Sequence, residues 1–142
     1  MKKLWIVLAM FALLNTNALA QSFGVYLVGA SYNFYDPGKA EGFRIGARLV
    51  TSIDVQADYI LGRIDNLGGA DGFSLYYGAG AHAGFGFLRS FPSVGAHAVL
   101  GIEYLLSPTM SVFLDASPGI SYYIGYGIDG YYGTALGLNI KL

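Results

Sequence analysis

Two histidines and a few carboxylates are the residues of this chain that could perform chemistry. His82 and His97 flank a short turn-forming stretch, and Glu103 and Asp115 follow in the next apolar segments. An imidazole beside a carboxylate transfers protons, and together they bind metal ions. The chain has no cysteine and no closely spaced set of histidines. We therefore expect these side chains to form a hydrogen-bonded network, and we predict no catalysis, no metal site and no cofactor.

The segments that carry these residues have the pattern of β-strands. Stretches rich in Val, Ile, Leu, Tyr and Phe are separated by clusters of Gly, Pro, Asp and Ser. The predicted strands lie at 23–34, 41–51, 53–63, 74–87, 94–106, 110–122 and 131–142. A closed antiparallel barrel needs an even number of strands. We therefore expect an eighth strand, hidden within 61–76 or near the N-terminus.

After the first predicted strand, apolar residues alternate with polar residues and glycines. In segment 94–106, Val94, Leu100 and Ile102 share one face, and His97 and Glu103 share the other. Glycine weakens a strand that faces water, but in a narrow barrel it makes room for large polar side chains. The pattern therefore predicts that the apolar face points outward and the polar face inward. Three apolar residues are exceptions on the polar face: Ile60, Val99 and Phe113.

The charged residues of the polar face predict a filled interior. Their opposite charges nearly balance, and a buried charge is costly unless it is paired. We expect a packed, ion-paired network with His82 and His97 as diagonal neighbours across a hairpin. The predicted members of this network are Arg44, Arg48, Asp54, Asp58, His82, His97, Glu103, Asp115 and Lys141.

Aromatic residues crowd the ends of the predicted strands. Such rings suit the headgroup level of a membrane, where one side meets hydrocarbon and the other meets water. The residues expected at that level are Tyr32, Tyr35, Tyr76, Phe91, Tyr122, Tyr123, Tyr126, Tyr131 and Tyr132.

The composition is unusual for a water-soluble domain. Charged residues make up 12% of the chain and apolar residues 54%, whereas about 25% charged residues is usual. After residue 20 there is no run of 18 apolar residues that would predict a membrane-spanning helix. The other structure that spans a membrane is a closed β-barrel. No basic stripe or tail is present, so we expect no nucleic-acid partner.

The first twenty residues have the pattern of a secretory signal peptide. Lys2 and Lys3 precede an apolar run from Leu4 to Leu14, and Ala18 and Ala20 form a small-x-small cleavage site. We predict a signal peptide at 1–20, cleavage after Ala20 and a single domain at 21–142.

Three stretches resemble small outer-membrane β-barrel proteins, the OmpA/OmpX-like barrel domains. They are Ser74 to Phe85, Gly101 to Pro108 and Val112 to Gly119. The resemblance implies an antiparallel up-and-down transmembrane barrel of about eight strands in the cell outer membrane, in contact with its lipid. Residues Gly137 to Leu142 are similar to the terminal strand signal that the outer-membrane insertion machinery reads, although they end in Leu instead of an aromatic residue. The family implies a location and a fold, and no reaction.

The leading hypothesis is an integral outer-membrane barrel with a structural or interaction role, a plugged interior and exposed loops. Two alternatives remain at this point. One is a porin-like pore for small solutes or ions, and the other is a soluble periplasmic barrel that binds an apolar ligand.

Overall fold

The structure, a computed structural model, is all-β and describes residues 22–27, 29–49, 52–86 and 91–142. Its strands are β1 Ser22–Tyr26, β2 Gly29–Asn33, β3 Gly42–Leu49, β4 Ser52–Asp65, β5 Phe73–Gly86, β6 Pro92–Ser107, β7 Met110–Tyr123 and β8 Gly127–Lys141. A short 3-10 turn at Leu67–Gly69 lies between β4 and β5. In the described ranges no helix is long and apolar enough to cross a membrane. The predicted signal peptide lies outside those ranges.

Each strand pairs antiparallel with the next, and β8 pairs with β1, so the eight strands form a closed up-and-down barrel. This confirms the predicted antiparallel up-and-down barrel and the expected number of strands. The hidden strand lies at the N-terminal end, because the segment predicted as one strand at 23–34 is a hairpin of two five-residue strands. The turn at Leu27 lacks the usual cluster of turn residues.

The last strand is longer than predicted. Residues 127–130 were expected to belong to a connection, but they pair with β7 as far as Tyr123 opposite Gly127. Cross-strand pairing there prevails over the turn preference of Gly127, Asp129 and Gly130.

The two faces of the sheet differ sharply in polarity. Among the described residues, seventeen buried side chains are polar or charged and eight are apolar. The outer surface carries large apolar residues such as Val55, Leu100 and Leu114, each about half exposed. The interior of the barrel is therefore mainly polar, and its outer surface carries many large apolar residues.

The wall of the barrel is uneven in height. The strands β1 and β2 have five residues each, whereas β4 to β8 have 14 to 16. Gly24 of β1 pairs directly with Asn139 of β8. When the paired residues are followed the other way around the barrel, from β1 through each successive strand and through Gln56 and His82, Gly24 is aligned with Asp129 of β8. This shift of ten residues is the shear of the barrel. Because β1 is short and pairs only with residues 137–141, β8 extends well beyond the end of β1.

The seam between β1 and β8 can be tested by cross-linking, because the chain has no cysteine. Val25 and Leu138 are direct partners, and paired antiparallel residues have Cα atoms about 4.5–5.5 Å apart, within disulfide reach. We expect the double variant Val25→Cys, Leu138→Cys to form an intramolecular disulfide on mild oxidation, read by mass spectrometry. The control pair Val25→Cys, Thr134→Cys is about 13 Å further along the strand and should stay reduced. A reduced test pair would mean that the sheet is open.

Candidate functional site

The interior of the barrel brings together most of the predicted network. Seven of its nine members are buried: Arg44, Arg48, Asp58, His82, His97, Glu103 and Asp115. Asp54 is partly buried near the start of β4, where it accepts a hydrogen bond from Ser52.

Lys141 does not lie in the interior, and that prediction was wrong. Its side chain is 40% exposed, and its ammonium lies 3.1 Å from the carboxylate of Asp36. Lys141 is the last residue of β8, at the rim that the loop of residues 34–41 covers. A flexible stem lets the charged end of a lysine reach water there.

Arg44 is the centre of the network. Its Nε and Nη2 donate to Asp58 Oδ2 at 3.0 and 2.8 Å, and its Nη1 donates to Asp115 Oδ2 at 2.6 Å. Asp58 is its partner on the neighbouring strand, whereas Asp115 stands on β7 across the lumen. Tyr76 donates its hydroxyl to the other oxygen of Asp115. One guanidinium therefore connects opposite walls of the barrel.

A chain of hydrogen bonds continues from Asp58 through both histidines. His97 Nε2 lies 2.8 Å from Asp58 Oδ1, the two Nδ1 atoms lie 3.1 Å apart, and His82 Nε2 lies 2.6 Å from Ser121 Oγ. A carboxylate only accepts, so His97 donates from Nε2. When His97 is neutral, its Nδ1 accepts from His82, and His82 in turn accepts from the Ser121 hydroxyl. The diagonal placement expected from the hairpin brings the two rings together as predicted.

A serine next to a histidine that a further group orients is the arrangement of an activated nucleophile, and this chain runs from Ser121 through the two histidines to Asp58. However, Ser121 is only 2% exposed. The ring of Tyr131 also stacks on His82, with centroids 3.8 Å apart and planes at 20°. The burial of Ser121 and the ring of Tyr131 over His82 are what a hydrogen-bonded structural chain requires.

A second network surrounds Glu103 near the other end of the lumen. Its Oε1 accepts from Ser111 and, at 3.0 Å, from Asn139, whereas its Oε2 is buried without a partner. Asn139 accepts from Asn33 at 2.9 Å, and Asn33 also donates to Ser22 at 3.2 Å. The bond between Asn33 and Asn139 crosses the seam between the first hairpin and β8.

Glu103 and Asp115 do not join the histidines as their acid partners, as had been considered. Asp58 is the carboxylate that contacts His97, and Asp115 is connected to Asp58 through Arg44. Within the described parts of the chain, no group of three or more His, Asp or Glu could hold a metal ion.

Two small apolar clusters explain the three exceptions to the alternation. Ile60 and Val99 pack with Tyr76 and with two residues of the 34–41 loop, Tyr35 and Ala40. The loop thus closes one end of the barrel, and it is held there by the bond from Ser22 Oγ to Tyr35 O at 2.8 Å. Burial raises the pKa of the Tyr35 phenol, which stays neutral.

The third exception, Phe113, packs edge to face against Tyr26, with ring centroids 5.5 Å apart, and Ala135 belongs to the same cluster.

Three aromatic residues expected at a membrane surface point inward instead. Tyr35 and Tyr76 are buried in the apolar cluster, and Tyr131 covers His82.

Ser121 was missed as a network member, although it shares the inward parity of Gly119. The ambiguous first segment concealed Ser22, Ser31 and Asn33, because their parity becomes readable only once the hairpin turn is known.

Inward glycines provide the space that these polar groups occupy. A Cβ on Gly80 would collide with Asp58 and lie 2.7 Å from His97 Nε2, and a Cβ on Gly101 would collide with the ring of Tyr76. By contrast, a Cβ on Gly130 would meet no atom within 4 Å. The glycine positions are thus set by their neighbours in the lumen.

Gly80→Ala should separate Asp58 from His97 and lower the free energy of unfolding by about 1–3 kcal/mol, as overpacking does. Urea unfolding of the folded barrel, followed by circular dichroism, measures this change. The matched control Gly130→Ala should be neutral or slightly stabilising. Equal effects of the two variants would contradict the described packing.

Arg44→Leu should cost about 3–5 kcal/mol in the same measurement, because it leaves two buried carboxylates without their cation. The control Lys141→Gln removes an exposed charge and should cost less than about 1 kcal/mol. A small effect of Arg44→Leu would mean that Arg44 does not organise the interior.

Comparisons with protein-family models, with curated proteins and with solved structures find no match for this chain. Its function is therefore inferred from its own fold and from the groups inside and outside the barrel.

Proposed function

We propose that this chain is an integral outer-membrane β-barrel of the small OmpA/OmpX-like kind, with a structural or interaction role and no catalysis. The observation that carries the proposal is the inverted polarity of the barrel. Its buried residues are mainly Ser, Asn, Asp, Arg and His, and its exposed strand residues are Val, Ile, Leu, Phe and Tyr. That arrangement suits a barrel whose outer wall contacts lipid and whose interior does not contact lipid.

The extent of the outer apolar surface supports this location. Exposed apolar residues occur on all of the long strands, from Ile53 on β4 to Leu138 on β8. A soluble monomer rarely exposes an apolar patch beyond a few hundred Å². The strands β4 to β8 also exceed the roughly 9–11 residues that a tilted strand needs to span a bilayer.

The filled lumen favours a plugged barrel over a pore. Arg44 and Asp115 meet across it at 2.6 Å, and the 34–41 loop packs on Val99 and Tyr76 at one end. The alternative of a soluble barrel with an apolar ligand needs an apolar lumen, whereas the groups that line this one are mainly polar. The loops are then the surfaces offered to partners outside the membrane.

Export and insertion complete the proposal. Residues 1–20 direct the chain out of the cytoplasm as a cleaved signal peptide. Residues Gly137 to Leu142 are read by the outer-membrane insertion machinery. In support, these residues form the end of the closing strand and present Leu138, Ile140 and Leu142 on the outer surface.

Heat modifiability tests the membrane barrel. The protein extracted from outer-membrane fractions should migrate faster without boiling, as a compact band that resists protease. Removal by a carbonate wash, together with a single unshifted band, would refute the proposal.

Leu100→Arg tests the orientation of the outer face. Leu100 is 49% exposed on β6, and an arginine there should cost about 2–4 kcal/mol near the middle of the bilayer. We expect less heat-modifiable protein in the membrane fraction. The control Leu67→Arg places the same residue in the exposed loop between β4 and β5 and should insert normally. Equal insertion of both variants would show that this face does not meet lipid.

A further inference from the structure

The two histidines of the chain face each other inside the barrel, where both are buried. The Nδ1 atoms of His82 and His97 lie 3.1 Å apart, at hydrogen-bond distance. A hydrogen bond needs a donor on one side and an acceptor on the other. One of these two atoms therefore carries a proton and the other does not. We call this interaction the Nδ1 contact.

The Nε2 atoms of the pair have different partners. His97 Nε2 lies 2.8 Å from Asp58 Oδ1 and donates to it, because a carboxylate only accepts. His82 Nε2 lies 2.6 Å from Ser121 Oγ. A hydroxyl both donates and accepts, so this nitrogen is satisfied with a proton or without one.

These partners limit the number of protons that the pair can hold. In the neutral pair, His97 donates to Asp58, His82 donates across the Nδ1 contact, and His82 Nε2 accepts from Ser121. One extra proton on His82 Nε2 reverses the bond to Ser121 and leaves the other two bonds unchanged. A second extra proton would place the N–H groups of two cations against each other, which breaks the Nδ1 contact.

The surrounding residues confine the two rings. A Cβ on Gly95 would lie 2.6 Å from His82 Nε2, and a Cβ on Gly119 would lie 2.7 Å from the Cβ of His97. Tyr131 covers the pair from β8, and its ring centroid lies 3.8 Å from that of His82 and 5.6 Å from that of His97. Breaking the Nδ1 contact therefore requires one of these neighbours to move.

Charged groups on β3 and β4 also act on the pair. Asp58 accepts from Arg44 at 2.8 Å through Oδ2, the oxygen that does not contact His97. Asp54 and Arg48 act electrostatically on His82, with opposite signs. These charges affect the pH at which a proton binds, whereas the Nδ1 contact determines how many protons the pair can hold.

β7 and β8 add further titratable groups around the pair. Tyr123 on β7, and Asp129 and Tyr131 on β8, follow the inward parity of their strands. Asp129 is the register partner of Ser121, and its Oδ1 accepts from Gly130 N at 2.8 Å. These groups likewise leave the donor and acceptor of the Nδ1 contact unchanged.

We propose that His82 and His97 together form a site for one extra proton, and that a second proton breaks the Nδ1 contact and makes the interior of the barrel acid-sensitive. The inference goes beyond the proposed function. It follows from the hydrogen bonds of the lumen and holds whatever the outer wall contacts.

The direction of the effect on stability follows from the number of protons bound. An unfolded chain takes up two extra protons on its histidines as the pH falls through about 6.5, the ordinary imidazole pKa. The barrel with an intact Nδ1 contact takes up at most one. The unfolded state therefore gains at least one proton more, and the folded barrel loses stability as the pH falls below about 6.5.

Nitrogen NMR of the folded wild-type barrel labelled with 15N-histidine tests the proposal, because the chain has two histidines and no others contribute signals. As the pH falls from about 8 to about 5, on either side of the ordinary imidazole pKa, we expect one imidazole to become doubly protonated while the other keeps an unprotonated Nδ1. A second imidazolium should appear together with the loss of nuclear Overhauser contacts between the two rings.

Two outcomes of this titration overturn the proposal, and neither requires a variant to fold. One is a pair of imidazolium signals while the contacts between the rings persist. The other is a pair of neutral imidazoles down to about pH 5, well below the ordinary imidazole pKa. Either result in a heat-modifiable protein refutes the proton site and leaves the membrane barrel standing.

His82→Gln separates the pair from the other acidic groups. An amide donates to His97 Nδ1 or, after rotation, accepts from it, so protonation of His97 no longer creates a conflict. Between about pH 6.5 and pH 5, the unfolding constant of the wild type in urea should rise about tenfold more per pH unit than that of His82→Gln. Equal pH dependence of the two proteins would overturn the proposal.

Ser121→Ala is the matched control. It removes the hydroxyl at the other nitrogen of His82 and keeps the Nδ1 contact, so the pair should still hold one extra proton. Two imidazolium signals with intact ring contacts in this variant would overturn the assignment of the limit to the Nδ1 contact.

Discussion

The ion pairs of Arg44 with Asp58 and Asp115 determine how the rest of the interior is arranged. A guanidinium in this lumen must be compensated, and the two carboxylates come from opposite walls. Once both are engaged, the remaining oxygen of Asp58 is free to accept from His97, and that of Asp115 accepts from Tyr76. Each further bond follows from the need to satisfy a buried polar group.

This need explains why small residues are so frequent. A polar side chain that spans half of a narrow lumen leaves no room for a Cβ opposite it. Gly80 and Gly101 therefore stand opposite Asp58 and Tyr76, and serines provide hydroxyls where a little more room exists. The same constraint makes the interior specific, because enlarging one residue displaces a charged partner and not only a neighbouring methyl group.

The sequence is sufficient to predict the fold class, the strand count and most of the inward face, because parity along a strand is a local property. His82 and His97 could be paired in advance since their hairpin register follows from a short connection. Which carboxylate meets which cation could not be predicted. Arg44 and Asp115 are 71 residues apart, and their contact depends on the shear of the closed barrel, which alternation does not encode.

The first hairpin was missed for a related reason. Its turn lacks strong turn residues, so only tertiary pairing reveals it. Lys141 was misplaced because strand parity says nothing about where a strand leaves the lumen. The aromatic residues Tyr76 and Tyr131 were assigned to a surface by their position near segment ends, but their parity already placed them on the inward face.

The brevity of the first hairpin has a consequence for the order in which the barrel assembles. β4 to β8 are joined by long ladders between chain neighbours, which form with little loss of chain entropy. The seam between β1 and β8 joins residues more than a hundred positions apart and has only five pairs along the strands. We therefore expect closure to be the last contact to form and the first to be lost. Hydrogen exchange of the Val25 and Leu138 amide protons therefore distinguishes the closed barrel from a sheet that has folded but not closed.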